Sequence, residues 1–274
     1  FFFFLQTEIK NTKKILSYLE IAQKASKKAG NILFASYHRD TDILSSIKKD
    51  IKTQADLDAE NAVLEILAQT EFPILSEEKG VVKDVEFDSP RELLFLDEPI
   101  WIVDPLDGTY NFTREFPFCC VSIALWANGG PMLGVIFDFL KKELYSGSIT
   151  SDATCNGRKI LVSSTADISQ SCLASGFPTG RDFDSESMLL SVSRFQSYKK
   201  IRMIGSAAMS LVNVAKGSFD AYCEECIKIW DVAAGLAIVE AAGGKTTISD
   251  IDESWQVDVL ATNKLLFDQS FFKH

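Results

Sequence analysis

Apolar residues recur at three- and four-residue steps in five segments of the chain, which is the spacing of amphipathic helices. The longest predicted helix runs from about Glu8 to Tyr37, and a second follows Asp56. The other three lie in the second half of the chain and are predicted over Ser187–Phe195, Ser206–Lys216 and Asp231–Ala242. Gly217 and the pair Gly243–Gly244 follow the last two, as expected where a helix ends in a left-handed residue.

Short apolar runs bounded by turn residues predict strands between these helices. They are Pro73–Leu75, Ile100–Val103, Cys119–Trp126, Leu133–Phe139, Lys142–Ser146, Ile201–Ile204 and Phe219–Cys223. The charged segment Val81–Pro99 is predicted to be a surface loop. We therefore predict one α/β (α+β) domain over residues 1–274, with an α+β half to about residue 150 that contains an antiparallel sheet, and a more alternating α/β half from about residue 151.

The composition narrows the class of protein. The 274 residues are 46% hydrophobic, which is enough for a packed core. The formal net charge of -10 argues against a nucleic-acid partner, because binding to nucleic acid depends on clustered cations. No apolar run approaches the ~18 residues that span a bilayer, and Phe1–Leu5 is too short for the core of a signal peptide. We expect no membrane association.

The six cysteines do not suggest a disulfide framework. Adjacent Cys119 and Cys120 lie in an apolar run and are expected to be buried free thiols, which is typical of a reducing, cytoplasmic environment. Cys223 and Cys226 have C-x-x-C spacing, but structural zinc needs four nitrogen or sulfur ligands and the chain has only two histidines. We interpret this pair as incidental thiols.

Acidic residues occur at three places where a predicted strand ends or a helix begins: Glu77–Glu78, Asp104 with Asp107, and Asp231. Carboxylate oxygens are the ligands that Mg2+, Mn2+ and Ca2+ prefer. In the stretch WIVDPLDGTYNF, Pro105 fixes the backbone, so that the Leu106 carbonyl can point the same way as the two carboxylates. Several carboxylates around two cations would form a clamp for attack on phosphorus.

The residues after Asp107 suit a phosphate. Gly108 permits a tight turn and close approach of a ligand to the backbone. Gly108 and Thr109 begin a possible helical turn, whose free N–H groups favour a phosphate oxygen.

The same residues also have ordinary structural interpretations. An Asp-Gly pair after a strand is commonly a plain β-turn, and Asp231 is suited to be the N-cap of the helix that follows it, with Trp230 in the core. Sequence spacing does not show that the acidic residues converge. The chain has no Walker A, H-E-x-x-H, G-x-S-x-G or strand-linked G-x-G-x-x-G motif.

The stretch WIVDPLDGTYNF, with SEE upstream and IWDVAAGLAIVEAAGG downstream, resembles the two signatures of the inositol monophosphatase family. REFPFCCVSIAL, CNGRKI and GSAAMSLVNVAKGSFDAY extend the likeness over about Lys52–Asn263. The resemblance implies a layered αβαβα sandwich of the inositol monophosphatase and fructose-1,6-bisphosphatase type. It further implies a cytoplasmic homodimer that uses two or three Mg2+ ions, accepts Mn2+ as a substitute, and is inhibited by Li+ and Ca2+.

The resemblance also implies a role for each matching residue. The first Mg2+ would be held by Glu78, Asp104 and the Leu106 carbonyl, and the second by Asp104, Asp107 and Asp231, with a third, weaker ion near Glu78. Phosphate would bind the backbone of Gly108 and Thr109, while Thr109 and Asp56 would orient and help deprotonate the attacking water. Ala207 and Glu224 match positions that touch the alcohol part of the substrate; Glu224 could otherwise be a solvent-facing acid at a strand end.

The likeness predicts hydrolysis of a phosphate monoester by metal-activated water, with inositol 1-phosphate or a similar polyol phosphate as substrate. The alternatives are fructose-1,6-bisphosphatase, 3'-phosphoadenosine 5'-phosphate nucleotidase and histidinol-phosphate phosphatase activities on the same metal site, or a non-catalytic phosphate-binding regulator. NFTREFPFCCVSIAL is more similar to the inositol branch than to the nucleotidase branch. The chain departs from many inositol phosphatases at Lys228, where they carry His, and a cation there could favour a second phosphate or a more acidic substrate.

Overall fold

The computed structural model describes residues 2–38, 43–47, 50–82, 86–177 and 185–269. Phe1, His274 and residues 178–184 lie outside the described residues. The helices are α1 (Phe2–Ser36), α2 (Gln54–Leu67), α3 (Pro90–Leu94), α4 (Thr109–Thr113), α5 (Ser185–Gln196), α6 (Ala207–Ala215) and α7 (Ile229–Ala241).

The strands of the first half are β1 (Ile43–Ile47), β2 (Asp50–Thr53), β3 (Ile74–Ser76), β4 (Gly80–Val82), β5 (Ile100–Asp107), β6 (Cys120–Ala127), β7 (Gly130–Asp138) and β8 (Glu143–Ser148). The remaining strands are β9 (Ser151–Cys155), β10 (Arg158–Lys159), β11 (Cys172–Ala174), β12 (Lys200–Arg202), β13 (Ala221–Lys228), β14 (Gly244–Ile248) and β15 (Gln256–Asn263). β1 and β2 form a separate two-stranded hairpin.

The larger sheet has eight strands in the order β10-β9-β8-β7-β6-β5-β3-β4, and only its β3–β5 pair is parallel. β6 is buried along its whole length, which explains its nearly continuous apolar sequence CVSIALWA. Ile123 and Leu125 pack in one apolar core, whereas Ala124 and Trp126 pack in another on the opposite face. The alternation shows that both faces of this sheet are covered.

The second sheet has five strands in the order β12-β11-β13-β15-β14. β11 pairs in parallel with β12 and β13, whereas β15 is antiparallel to β13 and β14. A register shift between Glu224 and Ile227 interrupts the β13–β15 pairing, and Cys226 within it has a positive φ of 55°.

The two sheets and the helices form five layers. α1 and α2 pack on the outer face of the larger sheet through residues such as Ala25, Leu33 and Val63. The core on its other face contains the apolar residues of α6 and α7 together with residues of β13 and β15, so these two helices lie between the sheets. Phe195 of α5 packs on the far face of the second sheet. The arrangement is the αβαβα sandwich predicted from the resemblance.

Two local predictions were wrong. The segment Val81–Pro99 contains the end of β4 and helix α3 rather than only a loop; Ser89 caps this helix, Pro90 starts it, and Leu93 and Leu94 are buried in the core between the sheets. Asp231 is not an N-cap, because α7 begins at Ile229 and Asp231 lies within its first turn. In the part of the chain that the structure describes, no helix is both long and apolar enough to cross a membrane.

The contact between β7 and α7 generates a test of the layer packing. A Cβ atom at Gly134 would lie 2.1 Å from the carbonyl oxygen of Ala234, so Gly134→Ala must push helix and sheet apart. We expect this overpacking to lower the free energy of unfolding in urea by about 1–3 kcal/mol. Gly130→Ala in the same strand is the matched control, since no atom lies within 4 Å of a Cβ there. Equal stability of the two variants would contradict the packing described.

Candidate metal centre

Three carboxylates converge where β5 ends and α7 begins. Asp104, Asp107 and Asp231 each place an oxygen within 4.8 Å of the others. Asp104 and Asp107 are 1% and 7% exposed, so their negative charge lies in the interior between the layers. Convergence of these acids, which spacing alone could not show, is therefore a feature of the fold.

A bulge in β5 brings Asp104 and Asp107 to the same side. Residues three apart in a regular strand point to opposite faces. Here Asp104 pairs with Ser122 and Asp107 with Cys120, so β5 carries one residue more than β6 across this interval. The extra residue reverses the alternation and puts both carboxylates on one face. The Asp104 carboxylate is fixed in turn by the Leu106 N–H, which donates to Oδ1 at 2.9 Å.

The N-terminus of α6 holds Asp107. The Ser206 hydroxyl and the Ala208 N–H, the latter at 2.8 Å, both donate to Asp107 Oδ2. Burial raises the pKa of Asp107 to about 6, although hydrogen bonds from Ser206, Ala208 and their neighbours act to lower it. The helix end thus offsets part, but not all, of the cost of burying this charge.

The cluster carries more negative charge than its protein surroundings neutralise. Burial raises the pKa of both Asp104 and Asp231 well above the ordinary value, and the charges of Glu77 and Asp107 raise it further. Buried carboxylates at this spacing are the oxygen-rich, anionic donor set that Mg2+ or Mn2+ binds. The residues present therefore fit a divalent cation.

Glu77 and Glu78 are placed differently. Glu77 forms a hydrogen bond with Asp104 and acts on Asp231 by its charge. The Glu78 carboxylate instead forms an ion pair with Lys52 of β2. The sequence-based assignment gave the metal-ligand position to Glu78, whereas the neighbour of the cluster is Glu77.

Asp56 and Thr109 meet beside the cluster. Asp56 is the third residue of α2 and is 1% exposed; Thr53, the N-cap, donates its backbone N–H and hydroxyl to Asp56 Oδ2. The Thr109 hydroxyl lies 3.1 Å from Asp56 Oδ1 and 3.0 Å from the Leu106 carbonyl oxygen. The structure thus connects these two predicted residues directly, although they are 53 positions apart.

Gly108 is required at the turn between β5 and α4. Its φ is 88°, and a Cβ atom there would lie 2.6 Å from the Phe118 carbonyl oxygen. Both the left-handed backbone and the lack of space exclude other residues. The Asp-Gly turn expected from the sequence is present, and it is also what joins Asp107 to Thr109.

Asn111 connects this turn to α6. Its side-chain amide donates to the carbonyl oxygens of Phe118 at 2.7 Å and Ile204 at 2.8 Å. Ile204 lies just before Ser206, so the bond fixes the helix end that holds Asp107. The roles of Asn111 and Ser206 are not visible in the sequence, because their partners Ile204 and Asp107 lie 93 and 99 positions away.

A cavity of about 190 Å³ opens beside the cluster, and its lining includes Asp107, Ser206, Ala207, Glu224, Lys228 and Asp231. Glu224 is 8% exposed and accepts a hydrogen bond of 2.9 Å from the Tyr222 hydroxyl. Burial raises the pKa of Glu224 to about 7, although the hydrogen bond from the Tyr222 hydroxyl acts to lower it. The Lys228 ammonium donates to the Ser254 carbonyl oxygen at 2.5 Å. The two predicted alcohol-binding residues, Ala207 and Glu224, therefore share one cavity with Asp107 and Asp231.

Comparison with known proteins identifies the family of the chain. The sequence profile of the inositol monophosphatase family matches residues 15–269. The inositol-1-monophosphatase of Synechocystis is 34% identical over 250 residues, which are 89% of this chain and 83% of that protein. A protein of Xylella fastidiosa named Nus factor SuhB is 36% identical over 231 residues, which are 82% of this chain and 80% of its own length.

Among solved structures, the inositol monophosphatase of an Anabaena (Nostoc) species superimposes with a TM-score of 0.79 at 33% identity. The match covers 93% of this chain and 94% of that one. The chain belongs to the inositol monophosphatase family. The relatives named inositol monophosphatase support a phosphatase, whereas the name of the SuhB relatives states no reaction.

The charge of the cluster predicts a pH-dependent effect of Mg2+ on stability. Burial raises the pKa of Asp107 from an ordinary 3.8 to about 6, so its charge destabilises the metal-free protein increasingly as the pH rises between these values and fully above about pH 6. As the pH falls through about 6, the folded state takes up protons; this relieves the destabilisation and competes with cation binding. We expect Mg2+ to raise the Tm clearly at about pH 7.5 and much less at about pH 5, as measured by calorimetry against EDTA.

The control for this experiment is Asp152→Asn, which removes a surface acid paired with Lys159 and should keep the full response to Mg2+. Asp231→Asn should lose most of it. A rise in Tm that was the same at both pH values, or that survived Asp231→Asn, would exclude the carboxylate cluster as its source.

Proposed function

We propose that the protein is a Mg2+-dependent phosphatase that hydrolyses a polyol phosphate monoester, with inositol 1-phosphate as the first candidate substrate. The observation that carries the proposal is the cluster of Asp104, Asp107 and Asp231, of which the first two are buried, together with the Asp56–Thr109 pair. The cavity that contains Glu224 is lined by Asp107 and Asp231 of this cluster. The names of the inositol monophosphatase relatives support the same reaction.

In this proposal the cation ligands are Asp104, Asp107, Asp231 and the Leu106 carbonyl, with Glu77 in the position that the family resemblance gave to Glu78. Glu77 is preferred because it interacts with Asp104, whereas Glu78 interacts with Lys52. When bound, Mg2+ would neutralise charge on the carboxylates and phosphate and lower the pKa of coordinated water, so that the reaction needs no histidine base.

Asp56 and Thr109 are proposed to orient the attacking water and accept its proton. The Thr109 hydroxyl can accept a hydrogen bond from that water while it donates to Asp56. Asp56 is held by Thr53, and burial raises its pKa, which favours proton uptake by the carboxylate. The backbone N–H groups of Gly108 and Thr109 are proposed to bind the phosphate that receives the water.

Glu224 is proposed to bind hydroxyl groups of the leaving alcohol. A buried carboxylate can accept hydrogen bonds from two neighbouring hydroxyls of a cyclitol or sugar, and the bond from Tyr222 fixes its orientation. Ala207 lies in the same cavity and is proposed to contact the carbon side of the alcohol. Fructose 1,6-bisphosphate, histidinol phosphate and 3'-phosphoadenosine 5'-phosphate are the competing substrates on the same metal site.

Isosteric removal of a metal-binding charge tests the reaction. We expect wild-type protein to release phosphate from inositol 1-phosphate with Mg2+ and not with EDTA. Asp107→Asn and Asp231→Asn should each lower the rate of phosphate release by more than the ~10–100-fold that follows loss of a residue that only hydrogen-bonds to a metal ligand. Asp152→Asn is the control and should remain active. Release of no phosphate by wild type from the four candidate substrates and a broad panel of other phosphomonoesters would refute the proposal.

Glu224→Gln tests the assignment of the alcohol site. Loss of a charged hydrogen-bond acceptor costs about 1.5–3 kcal/mol, so kcat/KM for inositol 1-phosphate should fall ~10–100-fold. An aryl phosphate has no such hydroxyls, and its hydrolysis should change much less. Parallel losses on the two substrates would instead mean that Glu224 acts on the metal cluster or on folding.

A further inference from the structure

The Glu224 carboxylate has little freedom to move within the cavity. The Tyr222 hydroxyl donates to its Oε2 at 2.9 Å. A Cβ atom at Gly176 would lie 2.4 Å from Oε2 and 2.7 Å from Oε1, so the carboxylate lies directly against the backbone of this glycine. A small shift of β13 would therefore change where Glu224 presents its oxygens.

The strand that carries Glu224 is irregular directly after it. Between Glu224 and Ile227, β13 advances by three residues while β15 advances by two, from Val259 to Val257, so β13 contains one extra residue. Within this bulge Cys226 has a φ of 55°, a left-handed conformation that a residue with a side chain keeps only when its surroundings hold it. The position of Glu224 therefore depends on the contacts that stabilise the bulge.

Asp258 of β15 stabilises the bulge with its side chain. Its Oδ1 accepts a hydrogen bond of 2.8 Å from the Cys226 N–H, in the interval where the register of the two strands is interrupted. The Asp258 backbone is fixed in turn by Ser249: the Ser249 N–H donates to the Asp258 carbonyl oxygen at 2.9 Å, and the Asp258 N–H donates to the Ser249 hydroxyl at 2.8 Å. The acceptor is thus held in a fixed place opposite the bulge.

Asp258 and Glu224 point to opposite faces of the second sheet. Val257 and Val259, on either side of Asp258, both pack in the core between the sheets, so the Asp258 side chain points to the outer face. Tyr222 packs in the same core, and Glu224 follows it by two positions, so Glu224 points inward. The sheet therefore separates the Asp258 carboxylate from the cavity, and an effect of Asp258 on a substrate must act through Glu224.

An ion pair holds the bulge from the same outer face. Glu225, which lies between Glu224 and Cys226, pairs with Arg194 of α5, and the two side chains are each only 21% exposed. Two consecutive residues of the bulge are thus engaged on the face away from the cavity.

The start of α7 is held separately from the bulge. The Ile229 N–H donates to the Trp255 carbonyl oxygen at 2.9 Å. This bond fixes the first turn of α7, which carries Asp231. A change in the bulge is therefore expected to move Glu224 more than the aspartate cluster.

We propose that Asp258 is a positioning residue for the alcohol side of the site. By closing the bulge from the outer face of the sheet, its carboxylate sets the place of Glu224 in the cavity and thereby which alcohols are accepted. The inference rests on the proposed function, because it assumes that Glu224 binds hydroxyl groups of the substrate.

Asp258→Ala removes the acceptor for the Cys226 N–H and should let the bulge relax, so that Glu224 is misplaced. We expect kcat/KM for inositol 1-phosphate to fall ~10–100-fold, because a displacement of about 1 Å at a positioned group can cost ~100-fold. Hydrolysis of an aryl phosphate, which offers Glu224 no hydroxyls, should change much less. Asp258→Asn keeps Oδ1 as an acceptor and should retain the wild-type ratio of the two substrates.

A double-mutant cycle shows whether Asp258 acts through Glu224. In the Glu224→Gln background, Asp258→Ala should lower kcat/KM for inositol 1-phosphate little further, since the group that it positions has already been changed. Full additivity of the two substitutions would contradict the proposal.

Asn156→Ala is the control for a general loss of stability. Asn156 also has a positive φ, of 49°, and its Oδ1 accepts the Leu144 N–H at 2.9 Å, but it lies in the turn between β9 and β10 of the larger sheet. This variant should lower the Tm without changing the ratio of the two substrates. If Asp258→Ala folds poorly, as circular dichroism would reveal, Asp258→Glu displaces the acceptor by one methylene and should show the same selective loss.

The outcomes separate this inference from the proposed function. Wild type that released no phosphate from any phosphomonoester would refute the proposed function, and a crystal structure of Asp258→Ala would then decide the role of Asp258. Displacement of the Glu224 carboxylate from Tyr222 and Gly176 would support that role, and an unmoved carboxylate would overturn it. An active wild type with the same substrate ratio in folded Asp258→Ala would overturn only the role of Asp258.

Discussion

The central constraint in this structure is the burial of several negative charges between two sheets. A lone buried carboxylate is costly in a medium of low dielectric constant, and Asp104, Asp107 and Asp231 lie together. The fold supplies partial compensation from backbone groups. Both helices of the middle layer begin at the cluster: α6 directs its first N–H groups at Asp107, and α7 carries Asp231 in its first turn. The positive ends of two helix dipoles therefore lie against the same negative charges.

The order of the layers follows from this arrangement. Helices that begin at the centre must lie between the sheets, and they must be apolar around most of their surface because both sheets pack on them. α7 shows this clearly, since ten of its residues are buried, including Gly235, where the close packing against Leu211 of α6 leaves no space for a Cβ. The sequence of α7 is thus determined at one end by charge and along its length by packing.

Much of this could be predicted from the sequence, and the failures have physical causes. The five longer helices and seven of the fifteen strands in the described residues are visible as apolar periodicity or apolar runs, and the motif around Asp104 identifies the family. The proposed exchange of Glu78 for Glu77 depends on which of two adjacent side chains faces the cluster, and adjacent residues of a strand point in opposite directions. Helix α3 was missed because its segment is charged, while only two of its residues, Leu93 and Leu94, supply core packing. The contact of Ser206 with Asp107 joins residues 99 positions apart, for which local sequence carries no signal.

The two halves of the proposed reaction depend on different sheets. Asp104, Asp107 and the Gly108–Thr109 turn belong to the larger sheet, and their positions are fixed by a bulge, a left-handed glycine and a helix end. Glu224 belongs to the second sheet, next to a register shift in β13. Substitutions around that shift can reshape the alcohol side of the cavity without moving the bulge that aligns the aspartates. The architecture therefore permits the identity of the alcohol to change while the chemistry at phosphorus is retained, and Ser206 and Ala207 at the start of α6 are where the two parts meet.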